Sequence, residues 1–265
     1  MQTIFKRNEL RNNKLSFLIL FFLVFLRLTD HYLANLICDS DSPTCFPYLY
    51  LSTTYVLVNV LVWLNKNNLG SLNIDRTFIT IIVLSGFLLF LVYLPLELGL
   101  LAVIVAAYTF WMLKNHQLTF GNNAKINAKI VALILLALLP LIPTYFYMFS
   151  SSVNLPFDRQ SLLFAAFDAN LPAIVFEEML FRGVFWLFLG VLGLNDRKIV
   201  FAQAMLFWVA HYQLLLSGSS YSFWIAIPFV SLLYGLIVWR SRSITPSAVS
   251  HFLYNFLVDL VKTSV

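Results

Sequence analysis

Charged residues are scarce in this chain of 265 residues: 11% are Asp, Glu, Lys or Arg, whereas 60% are hydrophobic. Soluble globular domains carry about 25% charged residues, so this composition excludes an ordinary water-soluble domain and predicts a polytopic membrane protein. The formal net charge of +5 would suggest a nucleic-acid ligand in a soluble protein. Here the basic residues lie mostly between hydrophobic runs, where they set membrane topology. We therefore expect contact with the lipid bilayer and no nucleic-acid partner.

Cysteine is also scarce, with Cys38 and Cys45 the only two. Two cysteines are too few for a zinc site by themselves, and their short loop holds no histidine. A disulfide closes the loop if it lies outside the cytoplasm; two free thiols are the alternative. The chain also lacks Gly-x-Ser-x-Gly and His-Glu-x-x-His sequences. These absences argue against a covalent serine or cysteine enzyme and against a zincin-type metal site.

Long apolar runs dominate what is present. A membrane-spanning helix needs about 20 apolar residues, and several of these runs are shorter than that. The predicted fold is all-α: a polytopic transmembrane helix bundle of about eight or nine spans. The candidate segments are Leu15–Ile37, Tyr48–Leu64, Phe78–Leu94, Leu98–Leu113, Ile130–Phe149, Leu171–Leu194, Ile199–Leu216, Phe223–Trp239 and Pro246–Val261.

Basic residues are concentrated in alternate loops, as the positive-inside rule requires for nine spans. This alternation predicts a cytoplasmic N-terminus and, with the small size, a bacterial inner-membrane protein. The chain contains no internal repeat, so we expect one membrane domain. Within it, residues 1–150 would form N-terminal transmembrane helices of unassigned role, and residues 151–265 a catalytic helical core. The basic residues of the cytoplasmic loops include Lys6, Arg7, Lys66, Arg76, Lys114, Lys125, Arg197, Lys198, Arg240 and Arg242.

Three charges interrupt the apolar run from Leu171 to Leu194: Glu177, Glu178 and Arg182. An ionised side chain near the bilayer centre costs about 2.5–3.5 kcal/mol, so these charges must pair, face the protein interior or line a wet cavity. Glu178 and Arg182 are four residues apart and share a helical face, which allows them to neutralise each other. Glu177 then has no local partner.

Polar residues near the end of the first apolar segment have a simpler interpretation. Asp30 and His31 suit the outer membrane interface, and Arg27 can pair with Asp30. We assign these residues structural or interfacial roles.

Two later apolar segments carry further polar residues. His211 follows Phe207 by four residues, and Asn255 follows His251 by four, so each pair shares one helical face. A lone intramembrane histidine is usually a hydrogen-bond partner between helices. Counted along the predicted helices, however, Glu177, His211, His251 and Asn255 reach similar depths in the outer half of the bilayer. This coincidence favours one shared cavity.

Amide hydrolysis is a reaction that uses such a set of side chains. It requires a base to activate water, an acid for the leaving amine and donors for the oxyanion. A carboxylate in a low-dielectric cavity can provide the base, a neighbouring histidine can hold the water, and a second histidine with an asparagine can provide the donors. The two glutamates and two histidines could also hold a divalent metal. The spacing of these residues in the sequence does not show whether they do.

The motifs Glu177-Glu178-x-x-x-Arg182, Phe207-x-x-x-His211 and His251-x-x-x-Asn255 resemble those of the CPBP family. This family includes type II CAAX prenyl endopeptidases and the Abi-type bacteriocin-immunity proteases. The resemblance covers roughly residues 165–260, and the looser Tyr234-Gly235 to Thr245-Pro246 stretch also fits it. Residues 1–150 match nothing that we can name.

The resemblance implies a glutamate-dependent intramembrane protease without a cofactor, although a metal-dependent version remains an alternative. Glu177 would be the general base, His211 would position the water, and His251 with Asn255 would form the oxyanion site. Glu178 and Arg182 would orient the site or the substrate. The substrate would be a membrane-anchored or exported protein or peptide. Two non-catalytic functions compete with this one: a scaffold or immunity protein of the same fold, and a transporter or channel.

Overall fold

The computed structural model describes residues 18–19, 21–27, 29, 45–67, 69–92, 96–115, 118, 120, 126–143, 171–216 and 218–264. Every regular element in those ranges is helical, which confirms the predicted all-α class. Cys38, Asp30 and His31 lie outside the described residues, and so does the side chain of Cys45. The predicted disulfide and the predicted Arg27–Asp30 pair therefore stay predictions.

The helices follow the predicted apolar segments closely. A short N-terminal helical segment, residues 21–27, precedes them. Three turns of 3₁₀ or π type lie next to or within the helices of the described residues: a 3₁₀ turn at Leu69–Leu72 and π turns at Met179–Val184 and Ser222–Ala226. The α-helices are α1 (Cys45–Leu64), α2 (Arg76–Val92), α3 (Leu96–Lys114), α4 (Ala128–Ala137), α5 (Leu171–Glu178), α6 (Phe185–Val191), α7 (Asp196–Val209), α8 (Gln213–Leu216), α9 (Ile227–Ser241) and α10 (Thr245–Ser264).

Residues 171–191 form one continuous helix, because a π turn at Met179–Val184 joins α5 to α6. In a π turn each N–H bonds the carbonyl five residues back, which widens the helix and is frequent at functional sites. Gly183 lies in this turn. A Cβ atom there would sit 3.3 Å from both the Leu72 carbonyl oxygen and the Ile244 side chain, so a larger residue would force these neighbours apart.

Two helical stretches in the described residues are long and apolar enough to cross a membrane: Asp196–Leu216 and Ser222–Ser241. Four further apolar helices are shorter, 10 to 17 residues: three lie within α1, α2 and α3, and the fourth, Ala128–Pro143, begins with α4 and extends beyond it. The predicted number of eight or nine spans therefore stays a prediction.

The largest hydrophobic core joins the N-terminal helices to the π-turn helix. Its buried side chains come from both sides of residue 150, among them Val58, Phe78, Phe176 and Leu180. The predicted division into residues 1–150 and 151–265 is not tested by this packing, but one core is shared across it. A second core packs α4 against α9 and α10 around Tyr234 and Ile237.

A polar junction fixes the start of α10. Asp75, itself buried, caps the N-terminus of α2 by accepting from the Phe78 N–H at 2.9 Å. Its carboxylate also accepts from the hydroxyls of Ser243 and Thr245, both at 2.6 Å. Thr245 is the first residue of α10. The loop before α2 therefore anchors the helix that carries His251.

Asn73 extends this junction to the π turn. Its backbone is left-handed, with φ of 56°, a conformation that Asn tolerates better than most residues. Its carbonyl accepts from the Ile244 N–H at 2.8 Å, and its side chain donates to the Arg182 carbonyl at 3.2 Å. The segment from Asn73 to Asp75 thus touches both helices that build the candidate site.

Candidate active site

Glu177 and Glu178 end α5, directly before the π turn. Both are buried, with Glu178 fully enclosed and Glu177 9% exposed. Consecutive residues on a helix point about 100° apart, so the two carboxylates meet different neighbours. The structure gives each of them a separate set of partners.

Glu178 is held on three sides. One carboxylate oxygen accepts from the Ser247 hydroxyl at 2.7 Å. The other lies 3.0 Å from Nδ1 of His251 and 3.3 Å from a guanidinium nitrogen of Arg182. The Glu178–Arg182 pair that the spacing of four predicts is present, and both side chains are completely buried.

Arg182 gains its remaining stabilisation from aromatic rings. Its guanidinium carbon lies 4.2 Å above the Phe207 ring and 5.4 Å from the Tyr234 ring. A desolvated cation over an aromatic face is stabilised by about 2 kcal/mol. Phe207, part of the predicted Phe207-x-x-x-His211 motif, therefore supports the Glu178–Arg182 pair.

Glu177 has one short contact and two longer ones. Its closest partner is Arg27, with 2.9 Å between the guanidinium nitrogen Nη2 and the carboxylate oxygen Oε1. Nε2 of His211 lies 3.8 Å from the same oxygen, and Nε2 of His251 lies 3.7 Å from the other. Neither histidine is within direct hydrogen-bonding distance, but both rings face the carboxylate.

His211 lies beyond the end of α7, in a three-residue turn at 210–212 that precedes α8 within the helical stretch Asp196–Leu216. Its backbone N–H bonds the Trp208 carbonyl, three residues back. The Phe207 carbonyl is therefore available to the side chain, and Nδ1 of His211 lies 2.7 Å from it. Because a carbonyl only accepts, Nδ1 must carry the hydrogen, and Nε2 is the nitrogen presented to Glu177.

His251 connects the two carboxylates, since its Nδ1 faces Glu178 and its Nε2 faces Glu177. Its ring packs on Tyr234 and Phe207, with centroid distances of 5.0 and 5.7 Å. These contacts fix the ring in position. Asn255 is half-buried one helical turn further along α10, on the same face.

Five of the six predicted site residues thus form one contiguous cluster, and Asn255 lies one turn from it. The five are Glu177, Glu178, Arg182, His211 and His251. The prediction did not include Arg27 or Ser247 in the site. The sequence hints at a functional role for Arg27, because it is a charge within an apolar run. Its position near the end of that run, however, favours a place at the membrane interface. Nothing in the sequence singles out Ser247, because a lone serine in a helix is common.

The cluster does not fit a divalent metal in its described arrangement. Among the described residues, no three His, Cys, Asp or Glu side chains are placed so that they could hold a metal ion. The oxygens of Glu178 already contact Ser247, His251 and Arg182. The charges of Arg27 and Arg182 also balance those of the two glutamates, so the carboxylates have cationic partners from the chain itself.

Comparison with known families agrees with the motifs. Residues 159–257, less than half of the chain, match the family model described as "Type II CAAX prenyl endopeptidase Rce1-like". No curated protein and no solved structure matched the chain. The family is one of integral-membrane proteases, which supports peptidase activity at the level of the family. This match over residues 159–257 supports the resemblance to the CPBP family that the three motifs predicted.

Proposed function

We propose that this protein is an intramembrane glutamate-dependent endopeptidase that cleaves a peptide bond of a membrane-anchored or exported protein or peptide. The observation that carries the proposal is the convergence of Glu177 with Nε2 of His211 and Nε2 of His251, at 3.8 and 3.7 Å. The protein would lie in a bacterial inner membrane with its N-terminus in the cytoplasm, as its loop charges predict.

Glu177 is the proposed general base. A water held between Glu177 and Nε2 of His211 would donate one hydrogen to each, because Nδ1 of His211 already carries the ring hydrogen. As the water oxygen attacks the carbonyl carbon of the substrate, Glu177 takes its proton. Proton transfer to a positioned carboxylate contributes about 10²–10⁴-fold to the rate.

His251 and Asn255 are the proposed donors to the oxyanion that forms on the carbonyl oxygen. With both ring nitrogens protonated, His251 would donate from Nε2 to the oxyanion while Glu178 stabilises the ring charge through Nδ1. Asn255 would add an amide N–H from one turn away. Glu177 then transfers its proton to the leaving amine as the C–N bond breaks, and a carboxylic acid and an amine are released.

Glu178 and Arg182 are proposed to position His251 and the π-turn helix. Glu178 contacts His251 at 3.0 Å but is fully enclosed, so it is not available to a substrate. Its role would be to orient the imidazole, as a carboxylate beside a catalytic histidine often does.

The test compares new protein N-termini in membranes of cells that express the wild type, Glu177→Ala or Ser250→Ala. Ser250 is a suitable control because its buried hydroxyl, next to His251, makes no hydrogen bond within the described part of the chain. We expect new N-termini with the wild type and Ser250→Ala, and a loss of about 10²–10⁴-fold with Glu177→Ala. Undiminished cleavage by Glu177→Ala would refute the assigned base.

The runner-up is a non-catalytic scaffold or immunity protein of the same fold, which the short Arg27–Glu177 contact favours because it satisfies the carboxylate without a substrate. This alternative predicts no wild-type-dependent N-termini and a biological phenotype that survives both His211→Ala and Asn255→Ala. The metal-dependent version predicts that a membrane-permeant chelator abolishes cleavage and that a divalent ion restores it. We expect chelation to leave cleavage unchanged.

A further inference from the structure

Arg27 enters the site from a part of the chain that the matched family segment does not include. It lies on the N-terminal helical segment, and it is buried, with 9% exposure. Its Nη2 atom lies 2.9 Å from Oε1 of Glu177 and 3.3 Å from Nε2 of His211. One nitrogen of one side chain thus contacts both groups that are proposed to hold the attacking water.

These two distances describe the place where a water would sit. A water that hydrogen-bonds two acceptors lies about 2.8–3.0 Å from each of them. Oε1 of Glu177 and Nε2 of His211 are 3.8 Å apart, a separation that one water can bridge from the side. Nη2 of Arg27 fills that bridging position, so the guanidinium and the water cannot be there together.

We propose that Arg27 is a displaceable counter-ion of Glu177, which occupies the water position in the resting protein and leaves when substrate binds. The inference rests on the proposed function of Glu177 as base. The guanidinium protects the carboxylate while no substrate is present, and its departure frees Glu177 and His211 for water. Hydrolysis is thereby coupled to the presence of a group that attracts the guanidinium.

The surroundings of Arg27 specify that group. The Arg27 side chain lines an apolar pocket between the N-terminal helical segment, the π turn and α7, formed with Val24, Leu180, Phe181, Phe185, Leu206 and Ala210. These walls give room for the aliphatic stem of the arginine. An acceptor oxygen on the incoming molecule would compete with Glu177 for the guanidinium, because hydrogen bonds to a charged guanidinium are strong. A peptide carbonyl or terminal carboxylate beside an apolar side chain meets both requirements.

Chemical modification of Glu177 tests the proposal without an assay of proteolysis. Dicyclohexylcarbodiimide enters apolar regions and adds to protonated carboxyl groups, and mass spectrometry locates the adduct. In the wild type the adjacent guanidinium keeps Glu177 ionised and covered, so its modification is slow. In purified Arg27→Ala the counter-ion is absent, and we expect modification of Glu177 at least about tenfold faster. We expect an intermediate rate in Arg27→Lys, which keeps the charge without the planar fork.

Glu178 provides an internal control, because Arg182 and not Arg27 neutralises it. In a folded variant Glu178 stays unmodified, whereas unfolding exposes both carboxylates together. Val24→Ala, one turn earlier on the same segment, tests whether loosened packing alone is sufficient, and it should behave as the wild type.

Equal rates at Glu177 in the wild type and Arg27→Ala would overturn the proposal, as would a matching rise in Val24→Ala. If Glu178 is also modified in Arg27→Ala, that variant is unfolded, and Arg27→Gln is tested in its place. Selective modification of Glu177 in Arg27→Gln supports the proposal, and its absence refutes it. These outcomes do not depend on whether the proposed protease function is correct. Glu177→Ala can retain cleavage, refuting the base, while Arg27 still covers Glu177 in the modification experiment.

Discussion

Glu177 and Glu178 are neighbours in sequence and opposites in environment. Glu178 is fully enclosed, and its oxygens contact Ser247, His251 and Arg182 within 3.3 Å. Glu177 keeps some exposure, and its histidine contacts are 3.7 Å or longer. One contact of Glu177 is short, and it comes from Arg27, a residue far away in sequence.

The difference in environment indicates a structural role for Glu178 and a chemical role for Glu177. A buried charge whose partners are all close has a fixed geometry and is strongly destabilising to unpair. A carboxylate with loosely placed histidine neighbours has room for a water and a substrate carbonyl once Arg27 has left its position. The helical turn of about 100° between adjacent residues allows one dipeptide to supply both kinds of group.

Removing Glu178 should produce the largest effect on stability. Glu178→Ala leaves Arg182 charged, fully buried and without its carboxylate, a change that typically costs about 3–5 kcal/mol. We expect a large drop in the thermal unfolding midpoint of the detergent-solubilised protein. Glu177→Ala should lower the midpoint less, since the Glu177 and Arg27 side chains are partly exposed and the histidine contacts of Glu177 are longer.

The double variant Glu178→Met with Arg182→Met sharpens this prediction. Replacing both charges by apolar side chains removes the unpaired guanidinium, so the double variant should recover much of the stability that Glu178→Ala loses. If Glu177→Ala destabilised the protein as much as Glu178→Ala, the proposed contrast between the two carboxylates would be wrong.

Asp75 should have the next largest effect, because it supports the Glu178 side of the site from a distance. Its carboxylate accepts from Ser243, Thr245 and the Phe78 N–H, and Thr245 begins the helix of His251. A hydrogen bond to a charged group contributes about 1.5–3 kcal/mol. Since the freed hydroxyls can find other partners, we expect Asp75→Ala to lower the unfolding free energy by about 3 kcal/mol, measured by denaturant or thermal unfolding.

Asp196→Ala is the matched control for Asp75. Asp196 also pairs across two helices, with Arg242 at 2.6 Å, but both side chains are substantially exposed. Exposed ion pairs contribute about 0–1 kcal/mol. A loss from Asp196→Ala equal to that from Asp75→Ala would show that the buried junction has no special role.

Much of this arrangement was predictable because the relevant rules are local. The apolar runs placed the helices, and the spacing of four placed Arg182 beside Glu178. Counting residues along each helix also brought Glu177, His211 and His251 to a common depth, and the structure brings both histidines within 4 Å of Glu177. Whether that depth lies in the outer half of the bilayer stays a prediction.

The remainder depends on contacts that no local pattern contains. Arg27 meets His211 across 184 positions of sequence, so its pairing depends on how the N-terminal segment packs. At the turn at His211 and in the π turn after Glu178, the span of the backbone hydrogen bonds differs by one residue from that of an α-helix. The spacing of apolar residues does not reveal so small a difference. For this reason the sequence did not predict the contact between Arg27 and Glu177. The predicted pairing of Arg27 with Asp30 lies outside the described residues.

Ser247 should give a smaller effect on stability than Glu178 or Asp75, and its effect is the most discriminating one. Ser247→Ala removes the 2.7 Å hydrogen bond to Glu178 but leaves Arg182 and His251 in place. We expect a loss of about 1.5 kcal/mol in unfolding free energy, the low end for a bond to a charged group. Ser250→Ala, on the same helix, removes a buried hydroxyl without a hydrogen bond in the described part of the chain and should cost less.

Cleavage by the same two variants decides what Glu178 does. If Glu178 serves mainly to hold His251 and Arg182, Ser247→Ala should lose stability while its rate of cleavage falls less than about tenfold, because two of the three contacts of Glu178 persist. A fall of several orders of magnitude at unchanged stability would mean that the proton or the charge distribution on Glu178 takes part in the reaction. Glu177 would then share its chemical role with its neighbour, and the division between a structural and a reactive carboxylate would no longer hold.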